Sequence, residues 1–501
     1  MDFQEKKTSG TISKLTRRSA LVAVGAGAGM WATRKLGASL PDMTGVPLQD
    51  GAPPVGFLND ASGMSMTPVH KHIHMQEDPG TRIVALLRAE LAEARSEGRP
   101  VNLAAARHSM GGQSIPRNGH AVTFDTGRIE LGDETYRAHA GARWHTVIAA
   151  LDPAGRSPKV MQSNNDFGVA ASFSVNAHGW PTAFGPMGST VRSIGLLLAD
   201  GTHITASRDQ EPDLFAAAMG GYGLIGLITD LEIESVPNTN VSPNFQEVPA
   251  EDFAAPFQAT ARSHPMAFGR LNVDRAEFFQ WASLVSFDEV EGPVGPPEGS
   301  PFLYSLVRRL FRAQEGNDWV KRRRWDLETR FAPLVMGPSS RSAQMNKSVA
   351  QINGVNQATK SDILHEYFVP PESFAAFIAE SREIILNSYQ DLLNVTLRWV
   401  ERDQESLLSY APNGPQIALV MNFGQERSSR AEADATVMTR RLIDAALTLG
   451  GSYYLPYRPH AMQHQFENCY RRVEEFVAFK RRFDPSLTFR NALWDNYLSH
   501  I

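Results

Sequence analysis

The sequence predicts an α+β fold built in two parts. Between residues 80 and 237, short apolar segments with the pattern of strands alternate with helical segments and glycine-rich turns. Strands separated by helices with an apolar face favour an antiparallel sheet covered by helices. That pattern holds from residue 240 to residue 455, with strands at 268–273, 363–369, 394–400 and 417–423 and long amphipathic helices at 371–386 and 430–449.

The composition is that of a globular protein with two or three domains. The chain has 501 residues, of which 42% are hydrophobic and 21% charged, so collagen-like, coiled-coil and largely disordered structures are excluded. The formal net charge is -5, so the chain lacks the excess of basic residues that is typical of a nucleic-acid-binding protein. Cys469 is the single cysteine, which excludes an intramolecular disulfide and a cysteine-rich zinc site.

Residues 1–38 have the pattern of an export signal. Arg17 and Arg18 precede a weakly apolar stretch at 20–32, which is too short to span a bilayer as a helix. Ala38 is a candidate cleavage position, and residues 39–68 are predicted to be a linker. The order Thr-Arg-Arg-x-x-Leu resembles a twin-arginine signal, which carries folded proteins. We therefore expect a bacterial periplasmic or secreted protein with no transmembrane segment after signal removal; a basic amphipathic helix is the alternative interpretation.

Three segments rich in small residues predict a site for a long ligand. ARHSMGGQ at 106–113 follows a predicted strand, and a turn of small residues there lets backbone N–H groups approach a phosphate. It lacks both the Lys-Ser/Thr of a nucleotide-hydrolysing loop and the three spaced glycines of a dinucleotide fold. GVAASFSVNAHG at 168–179 and GGYGLIGLI at 220–228 follow. Together they indicate backbone contacts to a pyrophosphate, an adenosine end and a large planar end.

These segments and LLLADGTHITASRDQEPDLFAAAMGGYG at 196–223 resemble the FAD-binding lobe of the vanillyl-alcohol-oxidase, or PCMH-type, flavoprotein family. The resemblance implies a two-lobed PCMH-type FAD-binding domain at 69–237. It also implies a substrate (cap) domain at 238–455, with an antiparallel sheet covered by helices. Residues 456–501 would then return to the FAD-binding domain.

The resemblance further implies which residues hold FAD. The first segment would contact the pyrophosphate and the isoalloxazine, the second the pyrophosphate and ring side, and the third the adenine end. Matched position by position, these residues are Arg107, His108, Ser109, Met110, Gly111, Ser172, Val175, Asn176, His178, Gly226 and Ile228. Gly220, Gly221 and Gly223 have the alternative role of permitting a tight turn. Asn491, in the closing FDPSLTFRNALWDNY segment, is a candidate for contact with the flavin or the substrate.

His108 is the residue that the resemblance implies for covalent attachment of FAD. In many members of the family, the histidine of the His-Ser turn is bonded to the methyl group on the benzenoid ring of the flavin. That chemistry needs a neutral, nucleophilic imidazole. The alternative is a turn histidine that only packs against FAD. In relatives with a doubly attached flavin, a cysteine in the region that matches residues 164–168 forms the second bond. Residues 164–168 contain no cysteine, so a second covalent bond to the flavin is excluded.

Two C-terminal segments resemble the flavin-facing segments of sugar-lactone (aldonolactone) and alditol oxidases. In NVTLRWVERDQESLLSYAP at 394–412, Arg398 matches their arginine and Thr396 replaces their glutamate. In RPHAMQ at 458–463, His460 matches their histidine and a glutamine replaces their lysine. The predicted catalytic residues are Arg398, which would stabilise oxyanion charge, and His460 and Tyr454 as candidate bases, with Tyr457 as a further candidate.

These observations predict an exported FAD-dependent oxidoreductase that transfers a hydride to flavin from an alcohol-type carbon of a sugar, lactone, polyol or other alcohol. The Gly-Gln after the His-Ser turn also resembles cytokinin-type dehydrogenases, which gives amine oxidation as an alternative. A catalytically silent binding protein that kept the flavin fold is the third hypothesis. The expected partners are a small-molecule substrate and an electron acceptor, which is oxygen, a quinone or a cytochrome.

Two further patterns are interpreted structurally. His70, His72 and His74 would share one face of a strand, a geometry that could bind a metal, but we find no accompanying cysteine or carboxylate pattern. We therefore predict a strand and no metal. Basic residues interleaved with aromatic ones at 306–330 could contact an anionic membrane surface or a lipid-linked substrate, and we favour a solvated helical face.

Overall fold

The computed structural model describes residue 48 and residues 53–296, 309–348 and 359–501. The predicted export signal and the first part of the predicted linker lie outside the described residues. Helices occur together with mainly antiparallel strands, so the predicted α+β class is confirmed. None of the helices in the described ranges is both long enough and apolar enough to cross a membrane.

The N-terminal part alternates short strands with short helices. Its strands are β1 Phe57–Leu58, β2 Thr67–Pro68, β3 Lys71–Met75, β4 Val101–Ala104, β5 His120–Phe124, β6 Ile129–Leu131, β7 Thr135–His139, β8 Arg156–Pro158, β9 Val191–Leu197, β10 His203–Ser207 and β11 Leu227–Pro237. Its helices are α1 Ile83–Ser96, α2 Trp144–Leu151, α3 Val169–Ser174 and α4 Pro212–Ala218.

Two larger sheets organise this part. The strands β3 and β4 both pair with β5 in parallel, and α1 buries Leu87, Leu91 and Ala94 beside them. A second, antiparallel sheet has the strand order β10-β9-β11-β7-β6, with β8 added on β11. Leu197 and Leu227 of that sheet belong to the same apolar cluster as α1, so the two sheets share a core.

The C-terminal part contains an antiparallel sheet. Its strands are β12 Asn240–Pro249, β13 Met266–Leu271, β14 Trp281–Val290, β15 Ser339–Ser340, β16 Lys360–Val369, β17 Asp391–Val400, β18 Gln416–Glu426 and β19 Ser452–Tyr453. Their order in the sheet is β15-β12-β14-β13-β17-β18-β16-β19. Its helices are α5 Ala254–Ser263, α6 Asp318–Asp326, α7 Ala332–Val335, α8 Arg341–Met345, α9 Phe374–Leu386, α10 Ser429–Thr448, α11 Gln463–Cys469 and α12 Val473–Phe483.

Alternation along the strands gives the C-terminal sheet two different faces. Trp399 of β17 contacts α5 and Tyr367 of β16 contacts α9, so one face is covered by helices. Arg398 and Glu366 are the neighbours of these residues in their strands. Because successive side chains of a strand point to opposite faces, Arg398 and Glu366 lie on the face turned away from the helices.

The two parts are joined at both ends of the C-terminal part. β11 ends at Pro237 in one sheet and β12 begins at Asn240 in the other, beside the predicted boundary at 237/238. After α12 the chain returns to the N-terminal part, where the backbone N–H of Val101 donates to the carbonyl of Thr488 (2.6 Å). Phe489 forms a parallel bridge with Val101, so the last segment extends the parallel sheet next to β4.

Candidate active site

A cavity lies where the N-terminal sheets meet the C-terminal sheet. One wall consists of residues from 102–109, 162–178 and 222–228, which overlap the three small-residue segments. The opposite wall consists of side chains on β16, β17 and β18 and in the segment after β19: Leu364, Glu366, Arg398, Val420, Tyr454, Pro456 and Tyr457. The cavity therefore brings together residues from both parts of the chain.

The first segment turns sharply at the end of β4. Arg107 has a left-handed backbone conformation (φ 48), which is uncommon for a residue other than glycine, and its guanidinium contacts the hydroxyl of Thr123. The turn places His108 in the cavity wall, with its ring centroid 4.3 Å from that of Phe167. Burial, assisted by the charge of Arg143, lowers the pKa of His108 to about 4. The imidazole is therefore neutral at pH 7.

The second segment packs directly against the first. A Cβ atom on Gly168 would lie 2.6 Å from the Cβ of Ala105, so this approach requires glycine. In α3, the hydroxyl of Ser172 accepts a hydrogen bond from Trp144 Nε1 (2.9 Å) and donates one to Gln162 Oε1 (2.6 Å). The predicted site residue Ser172 is thus held in the wall by protein partners.

The third segment presents mainly backbone to the cavity. Tyr222 and Gly223 have positive φ angles of 54 and 71, which turn the chain before β11. A Cβ atom on Gly226 would lie 2.8 Å from Leu196 Cδ1, so glycine is needed for close packing on β9. The side-chain amide of Asn491 donates to the carbonyl of Tyr222 (2.9 Å) and holds the turn from behind.

Four buried polar atoms of the cavity wall have no hydrogen-bond partner among the described residues: Asn102 Oδ1, Arg107 Nε, His178 Nδ1 and Arg398 Nη1. A buried polar group without a partner costs roughly 1–3 kcal/mol, so such atoms mark positions for groups of a ligand. Cationic side chains, close backbone turns and unmatched polar atoms suit a ligand with an anionic centre and a polar planar end. These residues therefore fit FAD.

The wall formed by the C-terminal sheet carries a carboxylate that the sequence motifs did not reveal. Glu366 on β16 is 4% exposed, and its Oε1 contacts His178 Nε2. Its Oε2 accepts a hydrogen bond from the hydroxyl of Tyr457 (3.0 Å). Burial and this carboxylate raise the pKa of Tyr457, so the phenol stays protonated. An acidic residue within the mainly apolar predicted strand at 363–369 was the signal that could have identified it.

Two predicted catalytic residues, Arg398 and Tyr454, line the cavity. One arm of the Arg398 guanidinium contacts the hydroxyl of Ser163, and burial lowers its pKa to about 10, which leaves it cationic at pH 7. The hydroxyl of Tyr454 donates to the carbonyl of Val175 (2.8 Å), and burial raises its pKa. A protonated phenol already engaged with a carbonyl is a poor proton acceptor, so we assign Tyr454 to the wall and not to base catalysis.

The predicted base His460 does not line the cavity. Its Nε2 lies 2.9 Å from Glu432 Oε1, and its Nδ1 lies 3.1 Å from Thr439 Oγ1. Arg458 bonds to the same carboxylate oxygen at 2.5 Å. Both ring nitrogens are engaged within a buried ion network, and the catalytic role predicted for His460 is therefore replaced by a structural one.

Four residues predicted to contact FAD lie behind the wall: Met110, Gly111, Asn176 and Asn491. The amide of Asn176 donates to Asp403 Oδ2 (2.9 Å) and accepts from a backbone N–H, so its polar atoms are used by the protein. A Cβ atom on Gly111 would lie 2.5 Å from the carbonyl of Tyr457. These residues position the lining without reaching the cavity.

His70, His72 and His74 do not line the cavity. The strand predicted for this segment is confirmed, and it is β3. His70, Glu97 and His120 bring ligand-type atoms within 4.8 Å of one another, a grouping that the sequence pattern at 70–74 did not indicate. Glu97 lies 3.2 Å from His70 Nε2 and 3.0 Å from His120 Nε2. These distances are those of hydrogen-bonded pairs, which account for the cluster without an ion.

Comparison with known proteins identifies the N-terminal part. Residues 84–207 match the model of a family described as FAD binding domain. This part of the chain is therefore similar to an FAD-binding domain. The match includes the first two segments of the cavity wall, and with them His108 and Ser172.

Proteins similar to this chain include lactone oxidases or dehydrogenases and cytokinin dehydrogenases. D-arabinono-1,4-lactone oxidase from Yarrowia lipolytica is 27% identical over 159 residues, which are 30% of this chain and 30% of the relative. Cytokinin dehydrogenase 9 from Oryza sativa is 28% identical over 192 residues, or 37% of this chain and 34% of the relative. Mitochondrial L-galactono-1,4-lactone dehydrogenase 1 from Oryza sativa is 26% identical over 221 residues, or 43% and 37%. The chain thus spans about a third of the length of these relatives.

Proposed function

We propose that this protein is an FAD-dependent oxidoreductase that oxidises an alcohol-type carbon of a sugar, lactone or other small alcohol. The observation that carries the proposal is a single cavity with two chemically different walls. One wall belongs largely to the FAD-binding domain, and the other presents Arg398 and Glu366 from the C-terminal sheet. A substrate between these walls would lie beside the flavin and beside charged groups that can act on it.

When bound, FAD supplies the acceptor for the hydride that leaves the substrate carbon. Arg398 is placed to stabilise negative charge on the substrate oxygen, because it is cationic, buried and has Nη1 without a partner among the described residues. Tyr454 and Tyr457 remain protonated and help to close the cavity from water. The chain therefore provides positioning and charge, which is what a hydride transfer requires of a protein.

The relatives described above suggest two classes of hydride donor. The lactone oxidases and dehydrogenases favour a CH–OH donor, and the cytokinin dehydrogenases favour a C–N donor. We prefer the alcohol because Arg398, which matches the arginine of the sugar-lactone oxidase segment, lines the cavity. A cation suits a hydroxyl that becomes an oxyanion and repels the positive charge that develops when an amine is oxidised to an iminium.

The test is anaerobic mixing of the FAD-loaded protein with sugars, aldonolactones, aromatic alcohols and amines. Bleaching of the flavin absorbance by an alcohol or lactone supports the proposal. Bleaching by amines alone supports the amine alternative, and no bleaching by any compound supports the silent binding protein. Reoxidation with oxygen, a quinone analogue or cytochrome then distinguishes the three proposed electron acceptors.

We also propose that FAD is attached to His108. The proposal is supported by a neutral imidazole in the cavity wall, since an unprotonated ring nitrogen is the nucleophile that such a bond requires. After acid precipitation, the flavin of the wild-type protein should stay with the polypeptide. His108→Ala should release all of its flavin, whereas His203→Ala, an exposed histidine of the same domain, should release none. Complete release from the wild-type protein would show non-covalent binding.

A further inference from the structure

His178 is the penultimate residue of the second small-residue segment, and its side chain contacts the C-terminal sheet. Its ring lies among three aromatic rings, with centroid distances of 5.5 Å to Phe368, 5.9 Å to Tyr410 and 6.2 Å to Tyr454. The residue is buried and lines the cavity. The aromatic surroundings fix the plane of the imidazole, so its two nitrogens have defined directions.

The two nitrogens of His178 have different environments. Nε2 contacts Glu366 Oε1, and a carboxylate can only accept a hydrogen bond, so Nε2 carries a proton. Tyr457 holds the other oxygen of Glu366 (3.0 Å), and the backbone carbonyl of Glu366 accepts from Tyr454 N (3.0 Å). In the neutral imidazole Nδ1 then has a free lone pair, and this buried atom has no partner among the described residues.

Two other buried histidines show that this arrangement is not a general property of His–Glu contacts in this chain. His120 bonds to Glu90 through Nδ1 (2.5 Å) and to Glu97 through Nε2 (3.0 Å). His460 likewise has both nitrogens engaged. Neither of the two lines the cavity. His178 is a residue of the cavity wall with a glutamate on Nε2 and no partner among the described residues on Nδ1, which resembles a base oriented by a carboxylate.

We infer that His178 Nδ1 is the base of the reaction and that Glu366 is the positioning residue that sets its tautomer. The inference rests on the proposed function. The substrate hydroxyl would give its proton to Nδ1, and bound FAD would supply the acceptor for the hydride and its electron pair that leave the same carbon, so the alcohol would become a carbonyl compound. His178 would then be an imidazolium stabilised by Glu366.

The register of the sheet explains how Glu366 can serve where a motif glutamate is absent. Val420 of β18 pairs with Glu366 on one side and with Thr396 on the other, so the three residues form one row across the sheet. Thr396 is the position at which sugar-lactone oxidases are expected to carry glutamate. The Glu366 carboxylate is therefore on the same face of the sheet as Thr396 and two strands away from it. There it contacts His178.

The charged and titratable groups around His178 come from several elements. Glu366 contacts the imidazole, the rings of Tyr410 and Tyr454 lie beside it, and Tyr457 bonds to Glu366. Arg398 and Tyr222 line the same cavity. Burial raises the pKa of all four phenols, so they stay protonated in the neutral range. These phenols therefore do not account for a loss of reduction rate at acidic pH.

The first experiment measures the rate of anaerobic flavin reduction from about pH 5 to about pH 9 with a substrate found in the panel. His178→Asn should lower the rate roughly 100- to 10,000-fold and remove the acidic limb of the profile. Glu366→Gln should lower the rate roughly 10- to 100-fold, and Glu366→Asp should restore part of it. The control His120→Asn removes a buried histidine bonded to glutamates and should keep the wild-type profile. An unchanged acidic limb in His178→Asn would overturn the inference, even where the proposed function holds.

The second experiment does not depend on turnover. In FAD-loaded protein with isotope-labelled histidine rings, nitrogen-detected NMR reports which nitrogen of His178 carries the proton; the signal is assigned by its loss in His178→Asn. We expect the proton on Nε2 in the wild-type protein and a redistributed tautomer population in a Glu366→Leu variant. A proton on Nδ1 in the wild-type protein would overturn the inference. This result is independent of whether any substrate reduces the flavin, so the two proposals can fail separately.

Discussion

Arg398 is the residue whose role in the cavity is most directly tested by truncation. The residue lines the cavity, its guanidinium is buried and contacts Ser163, and its Nη1 has no partner among the described residues. If it stabilises charge on the substrate oxygen, it acts mainly in the transition state. Arg398→Ala should then slow flavin reduction roughly 100- to 1000-fold with normal flavin content, because the FAD-binding segments lie on the opposite wall.

Rapid mixing with any accepted substrate measures this effect. The matched control is Arg402→Ala, an exposed arginine four positions further along the chain, which should reduce flavin at the wild-type rate. A rate for Arg398→Ala within about threefold of wild type would show that the guanidinium does not act on the reacting oxygen.

More of the residues predicted from the small-residue segments line the cavity than of those predicted from the C-terminal motifs. His108, Ser172 and His178 line the cavity, and all three belong to small-residue segments that the sequence singled out. His460 was misplaced because its partner Glu432 belongs to a helix, and that contact cannot be deduced from the RPHAMQ motif. Glu366 was missed because 188 positions separate it from His178.

Among the elements, α12 and the segment after it join the end of the chain to the FAD-binding domain. Asp484 is fully buried, contacts Lys480 and accepts hydrogen bonds from the backbone of Thr488 (2.8 Å) and Phe489 (2.8 Å). The same lysine donates to the carbonyl of Phe489 (2.8 Å). One buried ion pair therefore holds the turn that lies beside Val101 of β4.

Asp484→Ala should destabilise the protein by about 3–5 kcal/mol, because it leaves a buried ammonium and two backbone N–H groups without an acceptor. The expected readout is a lower melting temperature of the FAD-loaded protein. Glu475→Ala is the matched control on the same helix, since its pair with Arg472 is exposed and should contribute less than about 1 kcal/mol. Equal melting temperatures for the two variants would contradict a structural role for the buried pair.

The predicted elements of the C-terminal sheet agree closely with the observed ones. The strand patterns at 394–400 and 417–423 lie within β17 and β18, and the helix pattern at 430–449 corresponds to α10. Apolar periodicity is a local property and reports each element well. The strand order is set by long-range pairing, and it decides that Glu366 lies in a row with Thr396.

The whole molecule should lose stability in acid because of histidines buried in neutral form. Burial and the neighbouring His460 lower the pKa of His365 to about 3, whereas an unfolded histidine titrates near 6.5. As pH falls below about 6.5, the unfolded chain takes up a proton that the folded chain does not. The free energy of unfolding therefore decreases with falling pH, by up to about 1.4 kcal/mol per pH unit for this group.

His365→Phe should flatten this dependence by removing the titrating group while keeping a ring against Phe423. The difference in melting temperature between about pH 7 and about pH 5 should be smaller than in the wild-type protein. His500→Gln, at an exposed position, should leave that difference unchanged. A variant with the full wild-type difference would assign the acid sensitivity to other groups.

Export is expected to act on the folded protein, because a cofactor of this size is expected to be inserted before the protein crosses a membrane. Arg17 and Arg18 lie outside the described residues, and the proposal that they direct export rests on the Thr-Arg-Arg-x-x-Leu order alone. The twin-arginine pathway accepts folded cargo, and its signal requires arginines and not merely positive charge. Replacing both by lysine should therefore leave yellow, FAD-loaded protein in the cytoplasmic fraction of a bacterial host. Arg34→Lys, a conservative change beyond the apolar stretch, should export normally, and unchanged periplasmic recovery of the double variant would exclude this pathway.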